Sequence, residues 1–115
     1  MVAVGGHVNT LTEKGRDALA EWVRTPASLP RIQNEPVVRL LAADLVDRAA
    51  VRDGLQAMRD DIEAGLAAVA EGREAAKDFP DRLALLTVNH DYAERYLRLQ
   101  QEWLDAAERV LRGTG

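Results

Sequence analysis

The sequence predicts an all-α fold in which two short helices precede a long antiparallel helical hairpin that pairs with a second copy into a dimeric helical bundle. Only five of the 115 residues are Phe, Trp or Tyr, so Leu, Val and Ala supply most of the apolar side chains. Apolar residues recur at steps of three and four along the second half of the chain, which is the period of packed helices. A domain of this size has a thin core, and association with another chain would add buried surface.

The first eleven residues carry no helical period. The segment 7–11 contains β-branched residues and favours a short strand, but no later segment of the chain resembles a partner for it. An isolated strand leaves its backbone hydrogen-bonding groups unpaired. We therefore expect residues 1–11 to be either the remnant of a sheet or disordered.

The helix boundaries follow from capping signals. Thr12 is a good N-cap for a first helix that ends near Arg24, and the prolines after it hold the chain in an extended linker. The segment 12–33 is thus a linking helix followed by a proline-containing linker. Asn34 caps a short second helix with Pro36 in its first turn, where proline is favoured.

The remaining helices make up most of a domain at 34–112. Asp47 is the predicted N-cap of one long third helix that ends near Lys77. The sequence Asp-Phe-Pro then breaks the chain, and a fourth helix of similar length reaches Arg112. Two long helices joined by a tight turn form a hairpin. We expect residues 113–115 to be a frayed tail.

The fourth helix carries two adjacent apolar seams. We name the first the tyrosine seam, and it consists of Leu85, Val88, Tyr92, Tyr96, Leu99, Trp103, Ala106 and Val110. The second, the leucine seam, consists of Leu86, His90, Ala93, Leu97, Gln100, Leu104, Ala107 and Leu111. One seam suffices to pack on the third helix, and a second seam left in water would be a large exposed apolar patch. We therefore expect one seam to face a partner chain, with partial cover by the two short helices as the alternative.

The third helix shows the same heptad pattern and carries two glycines on one face. Glycine inside a helix costs about 1 kcal/mol relative to alanine. Close approach of a neighbouring helix is the favoured explanation, and a loosened helix end is the alternative. The residues predicted to form the dimer interface are Leu55, Met58, Ile62, Gly65, Val69, Gly72, Leu86, Leu97, Leu104 and Leu111.

Composition and spacing argue against several functional classes. The formal net charge is −4, with 15 basic and 19 acidic residues that are well mixed, so the chain itself is not expected to bind DNA or a membrane surface. Cysteine is absent and the two histidines lie in unrelated elements. Neither a metal site, a bound cofactor nor a catalytic constellation is therefore expected. We expect a cytoplasmic, non-enzymatic chain.

Aromatic residues on the fourth helix suggest a ligand site. Tyr92, Tyr96 and Trp103 lie on one face, and Trp22 could reach this region from the first helix. Aromatic faces with a few polar tips are suited to small apolar ligands. The alternative is that these side chains are large core and interface residues. The ligand-binding candidates are Trp22, His90, Tyr92, Tyr96 and Trp103.

Three segments resemble the PadR-like family of transcriptional regulators. The run Leu11–Arg16, followed by Leu19 and Trp22, is similar to the LTxxGRxxLxxW segment of that family. The segment 34–45 is similar to the one that opens the family's C-terminal domain. The fourth helix, with Tyr96-Leu97 and Trp103-Leu104, resembles the family's last helix.

The resemblance implies the C-terminal dimerisation and effector-sensing domain of a PadR-like regulator, most commonly a repressor. Residues 1–11 would be the end of the wing strand of a winged helix, and DNA would be bound only through that missing domain. The resemblance also implies a small aromatic or phenolic effector. Pro36 departs from the family pattern, which has an apolar residue there. The alternative function is a headless interaction protein that heterodimerises with a full-length regulator and titrates it.

Overall fold

The computed structural model describes residues 2–4, 7–9, 11–31 and 33–113 and divides them between two compact units. The first unit is Met1–Gln33 and the second is Asn34–Gly115. In the first unit lie the strands β1 (Val2–Val4) and β2 (His7–Asn9) and the helix α1 (Glu13–Trp22). The second unit contains α2 (Glu35–Leu41), α3 (Arg48–Leu55), α4 (Ala57–Ala76) and α5 (Leu83–Leu111).

The strand expected near the start of the chain has a partner within the chain. β1 and β2 form an antiparallel pair in which Ala3 stands opposite Val8. The expectation that no partner is present is therefore wrong, because the partner precedes the strand instead of following it. Each strand has only three residues, which is too short to show the alternation of apolar and polar residues that marks a strand in a sequence.

The three predicted helix caps are confirmed. The Thr12 hydroxyl accepts a hydrogen bond from the Gly15 N–H at 3.0 Å. The Asn34 Oδ1 accepts from the Val37 N–H at 3.2 Å, and the Asp47 Oδ1 accepts from the Ala49 N–H at 2.9 Å. Each side chain thus satisfies a backbone donor that the first helical turn leaves free.

The long third helix predicted from the sequence is interrupted at Gln56, which separates α3 from α4. The Gln56 N–H donates to the carbonyl oxygen of Asp53 at 3.3 Å, and the Arg59 N–H donates to the carbonyl of Gln56 at 3.0 Å. Both bonds span three residues, so the helix tightens locally into a 3₁₀ turn. The side-chain amide of Gln56 donates to Glu108 Oε1 on α5, which anchors this turn to the neighbouring helix.

The predicted hairpin is formed by α4 and α5, which run antiparallel. Arg59 contacts Asp105 near the C-terminal end of α5, whereas Arg73 contacts Asp91 nearer its start. The core lies where α3, α4 and the end of α5 meet, and its two fully buried large side chains are Leu55 and Leu104. The buried core cluster consists of Ala43, Leu55, Ile62, Leu104, Ala107 and Leu111.

The predicted close approach of a helix to the two glycines of α4 is confirmed, and that helix is α5 of the same chain. A Cβ atom added at Gly65 would lie 2.9 Å from a methyl carbon of Leu97. One added at Gly72 would lie 2.8 Å from Nε2 of His90. Both distances are shorter than a normal contact, so the glycines provide the space that these two α5 side chains occupy.

A larger side chain at Gly65 should destabilise the hairpin. We expect Gly65→Leu to lower the free energy of unfolding by about 1–3 kcal/mol, because the new side chain overpacks the contact with Leu97. The measurement is chemical denaturation at fixed protein concentration. Ala67→Leu, on the exposed side of α4, is the matched control, and its effect should stay within about 0.5 kcal/mol. Equal effects of the two variants would contradict the close approach.

Candidate interaction surface

One face of α5 exposes a row of large apolar side chains. The exposed fractions are 68% for Leu85, 70% for Val88, 64% for Tyr92, 53% for Tyr96 and 58% for Leu99. We call these five residues the apolar strip, and they are the first five members of the tyrosine seam. At 1.5 Å per residue the strip is roughly 20 Å long. A continuous row of this kind is the usual mark of a surface that meets another molecule.

The tyrosine seam changes character toward the end of α5. Trp103 and Ala106 are half-buried, and Trp103 packs against the core cluster. Val110 is again exposed, and its carbonyl accepts a hydrogen bond from Arg48 of α3 at 3.3 Å. The exposed part of the seam is therefore continuous only along the apolar strip.

The leucine seam, by contrast, is covered within the chain. Its members Leu104, Ala107 and Leu111 are buried in the core, and Leu97 and His90 fill the space beside the glycines of α4. The two seams have similar periodicity, so spacing alone did not distinguish them. Gly65 and Gly72 of α4 determine which seam packs on α4, because they leave room for side chains of the leucine seam.

The ten residues predicted to form the dimer interface all take part in packing within the chain, and their contact with a second copy stays a prediction. They lie on the sides of α3, α4 and α5 that pack within one chain. Leu55, Ile62, Leu104 and Leu111 are buried, and Met58, Gly65, Val69, Gly72, Leu86 and Leu97 are half-buried. The apolar strip on the other seam is left exposed, as are Val38, Leu41, Leu45 and Val46 outside α5.

A shallow depression of about 520 Å³ follows the apolar strip. It is lined by Val88, Asp91, Tyr92, Arg95, Tyr96 and Leu99. All six residues belong to α5, so the depression has one wall and an open side. A small-molecule site normally buries most of its ligand, which one helix face cannot do. A second wall is needed before this surface can enclose anything.

The structure brings together only part of the predicted ligand site. Tyr92 and Tyr96 are neighbours in the depression. Trp103 lies farther along the same seam and is partly covered by the core. His90 faces Gly72 on the opposite side of α5. Trp22 lies on α1 in the first unit, and its side chain is exposed.

Two charged residues of the depression were missed by the sequence reasoning. Asp91 and Arg95 lie beside the tyrosines, one helical turn apart. The sequence indicates them only by their position, since each directly precedes a tyrosine of the strip. A charged residue on a helix is more often simply solvated, so this signal is weak without the contacts around it.

Two arginines on α4 pair with acids on α5 and fix the register of the hairpin. The guanidinium of Arg73 lies 2.9 Å from Asp91 Oδ1 and 3.5 Å from Glu94 Oε2. Two heptads away on each helix, the guanidinium of Arg59 lies 2.9 Å from Asp105 Oδ1 and 2.7 Å from Glu108 Oε2. We call each arginine with its two acids a clamp. Because the clamps repeat at the same spacing on both helices, sliding one helix would break both together.

Glu108 is the most strongly held of these acids. It is buried, and hydrogen bonds from Arg59 and then Gln56 hold the pKa of its carboxyl below its usual value, because both stabilise the charged form. The hydrogen bond to Glu108, followed by the one to Asp105, raises the pKa of the Arg59 guanidinium above its already high value. The charged state of this clamp therefore stabilises the folded chain.

The described part of the chain lacks both a side-chain cluster suited to a metal ion and a helix suited to a membrane. No group of three or more His, Asp or Glu side chains in it is placed to hold a metal ion. Among the same residues, none of the helices combines the length and the apolar character that crossing a membrane requires.

Comparison with known proteins identifies a family for most of the chain. A family model described as "Virulence activator alpha C-term" matches residues 32–112, a range that covers almost all of the second unit. No curated protein and no solved structure matches the chain.

This match corrects the resemblance to PadR-like regulators, because the matched family is a different one. The run Leu11–Arg16 lies outside the matched residues. The segment 34–45 and the last helix lie inside them, but their patterns are helix caps and apolar heptads, which many helical hairpins share. The repressor, winged-helix and phenolic-effector expectations rested on that resemblance and lose their support with it.

The clamp at Arg59 predicts an acid dependence of stability. The pKa of Glu108 is lowered on folding, so its contribution is fully present above the unfolded-state value near 4.5 and is lost as the pH falls through the lower folded value. We expect Glu108→Gln to be less stable than the wild type at pH 7, by about 2 kcal/mol. The difference should shrink as the pH falls below about 4.5.

Urea denaturation at a series of pH values checks this expectation. Glu63→Gln, on the exposed side of α4, supplies the reference for removal of a surface carboxylate. A stability difference between Glu108→Gln and the wild type that stays constant from pH 7 to pH 3 would contradict the assignment of the clamp.

Proposed function

The chain belongs to the family described as virulence activator alpha, C-terminal, and we propose that its second unit is a self-association module. In this proposal the apolar strip of α5 packs against the same strip of a second copy. The module acts by binding and not by catalysis. The observation that carries the proposal is the exposure of five large apolar side chains in one row on an otherwise well-packed hairpin.

The free energy that favours this association is hydrophobic. Each side chain of the apolar strip is more than half exposed, and fully burying a residue of this kind stabilises a structure by about 1.5–3 kcal/mol. Burial of the strip on both copies offsets the translational and side-chain entropy lost when two chains associate. A hairpin with a thin core gains in proportion more than a large domain would.

A second copy is the occupant that the surface itself supplies. Every copy of the chain exposes the same strip, and a two-fold interface uses the same patch on both subunits. The open side of the depression would then be closed by the equivalent face of the partner. Tyr92 and Tyr96 are well suited to such a contact, because tyrosine combines a large apolar ring with a hydroxyl that can remain at the wet rim.

In the cell this module would hold two copies of its protein together. The printed family description refers to the C-terminal part of a virulence activator. We propose that this chain is likewise part of an activator, and that its second unit joins two activator molecules. A small apolar ligand at the aromatic side chains stays a prediction, and it would need volume in the depression that the second copy leaves open.

Charge substitution within the strip tests the proposal. We expect Leu99→Glu to raise the dissociation constant of the dimer about 100-fold or more, because a buried carboxylate without a partner removes about 3 kcal/mol or more of binding free energy. The measurement is the solution mass by light scattering across a hundredfold dilution, and circular dichroism verifies that the variant is folded.

Leu45→Glu is the matched control, since Leu45 is an exposed leucine of the same unit outside the strip. It should leave the dissociation constant within about twofold of the wild-type value. A wild-type chain that stays monomeric at every concentration would contradict the proposal. Equal effects of the two variants would place the interface elsewhere.

A further inference from the structure

We infer that the second copy lies antiparallel on α5, with Tyr92 at the two-fold axis and Arg95 of each copy paired with the partner's Asp91. This inference rests on the proposed function, in which the apolar strip binds a second copy. It adds the direction and the register of the pairing. The test below separates a failure of the register from a failure of the association itself.

The spacing of the apolar strip is symmetric about Tyr92. Val88 and Tyr96 lie four residues to either side, and Leu85 and Leu99 lie seven residues to either side. An antiparallel pair centred on Tyr92 therefore places Leu85 opposite the partner's Leu99 and Val88 opposite the partner's Tyr96. Every exposed apolar side chain of the strip then meets another one, and none is left facing a polar position.

The side chains at these layers are also compatible in size. The small side chain of Val88 meets the large side chain of the partner's Tyr96, and this alternation of sizes lets facing helices interdigitate. The two Tyr92 rings meet at the axis, where offset stacking is a favourable arrangement for an aromatic pair. A shift of one heptad in one direction would leave Tyr96 and Leu99 beyond the start of the partner's α5. A shift in the other direction would place Leu85 opposite the partner's Ala106, which is half-buried, and Tyr96 opposite the partner's Arg95.

Charge decides between the antiparallel and the parallel direction. Asp91 and Arg95 lie on the same edge of the strip, whereas the opposite edge carries the uncharged Asn89 and Ala93. In an antiparallel two-fold pair each edge lies beside the same edge of the partner, because the axis is perpendicular to the helices. In a parallel pair the edge with Asp91 and Arg95 would lie beside the partner's opposite, uncharged edge.

The charges of that edge complement each other in the inferred register. Arg95 lies opposite the partner's residue 89, two residues or roughly 3 Å along the helix from the partner's Asp91. In the described part of the chain, Arg95 is exposed and has no ion pair. The Asp91 side chain is 49% exposed although Arg73 already contacts it, so one carboxylate oxygen can accept a second cation. The two-fold axis generates two such pairs.

Disulfide trapping reads the register directly, because the chain has no cysteine of its own. In the inferred register, Tyr92→Cys should form a homodimeric disulfide under mild oxidation. Val88→Cys alone and Tyr96→Cys alone should not, since the two copies of each residue lie roughly 12 Å apart along the helix, beyond the reach of a disulfide. A mixture of Val88→Cys chains and tagged Tyr96→Cys chains should form the mixed disulfide in excess over either homodimer.

A charge variant supplies an independent measurement that needs no disulfide. Arg95→Glu should raise the dissociation constant of the dimer roughly tenfold, because it replaces two attractive pairs by two repulsive ones at a solvated rim. Arg98→Glu is the matched control, since Arg98 lies on the same helix outside the strip and donates a hydrogen bond to Gln101. It should change the dissociation constant less than twofold.

The possible outcomes separate the two proposals. Homodimeric disulfides at all three positions would show a parallel pair and overturn the inferred register while leaving the association intact. A dimer that light scattering detects but that none of the cysteine pairs traps would overturn the inferred register. The association through the strip would fall as well if Leu99→Glu left the dissociation constant of that dimer unchanged. A monomer would overturn the proposed function, and the register would fall with it. Trapping at Tyr92 and in the mixed pair, together with the Arg95→Glu effect, would establish the register.

Discussion

The close contact between α4 and α5 at Gly65 and Gly72 is the constraint on which the rest of the second unit depends. At these positions an added Cβ atom would lie 2.9 Å from Leu97 and 2.8 Å from His90, closer than a normal contact. The two glycines forgo about 2 kcal/mol of helix propensity relative to alanine, and that loss is offset by packing that a larger residue would prevent. The two arginine clamps then hold the same register from the polar side of the contact.

The orientation of α5 about its own axis follows from this contact. With the leucine seam turned toward α4, the start of the tyrosine seam is turned away from every other helix of the unit, and α3 and the core cover the later seam only as far back as Trp103. The exposed strip is thus a consequence of the internal packing and not of a local irregularity. A helix that buries one apolar seam and exposes part of a second is a usual arrangement for a module whose core is completed by association.

Capping chemistry and periodicity were enough to predict much of the fold. Thr12, Asn34 and Asp47 cap the predicted helices. Their capping was predictable because a short polar side chain before an apolar run bonds a backbone N–H of the first helical turn, a purely local interaction. The break at Gln56 was not predictable, because its tightened turn leaves the apolar period intact and depends on a contact with Glu108. The choice of seam also escaped prediction, because two seams of similar spacing are distinguished only by the neighbour each one meets. The family resemblance failed for a related reason, since heptads and caps are shared by many unrelated hairpins.

Asp91 links the internal register of the hairpin to its outer surface. Arg73 holds the carboxylate from the side of α4, while the same residue lines the depression beside Arg95. A carboxylate that is already positioned loses little side-chain entropy when a second cation approaches. The clamp at Arg73, which helps to fix the register of α4 and α5, would therefore also orient Asp91 for contact with the partner's Arg95. Since the strip and Asp91 lie on one rigid helix, a displacement of α5 along α4 would separate Asp91 from Arg73 and leave the strip centred on the inferred two-fold axis. In this arrangement the packing within one chain sets the geometry that is presented to the next.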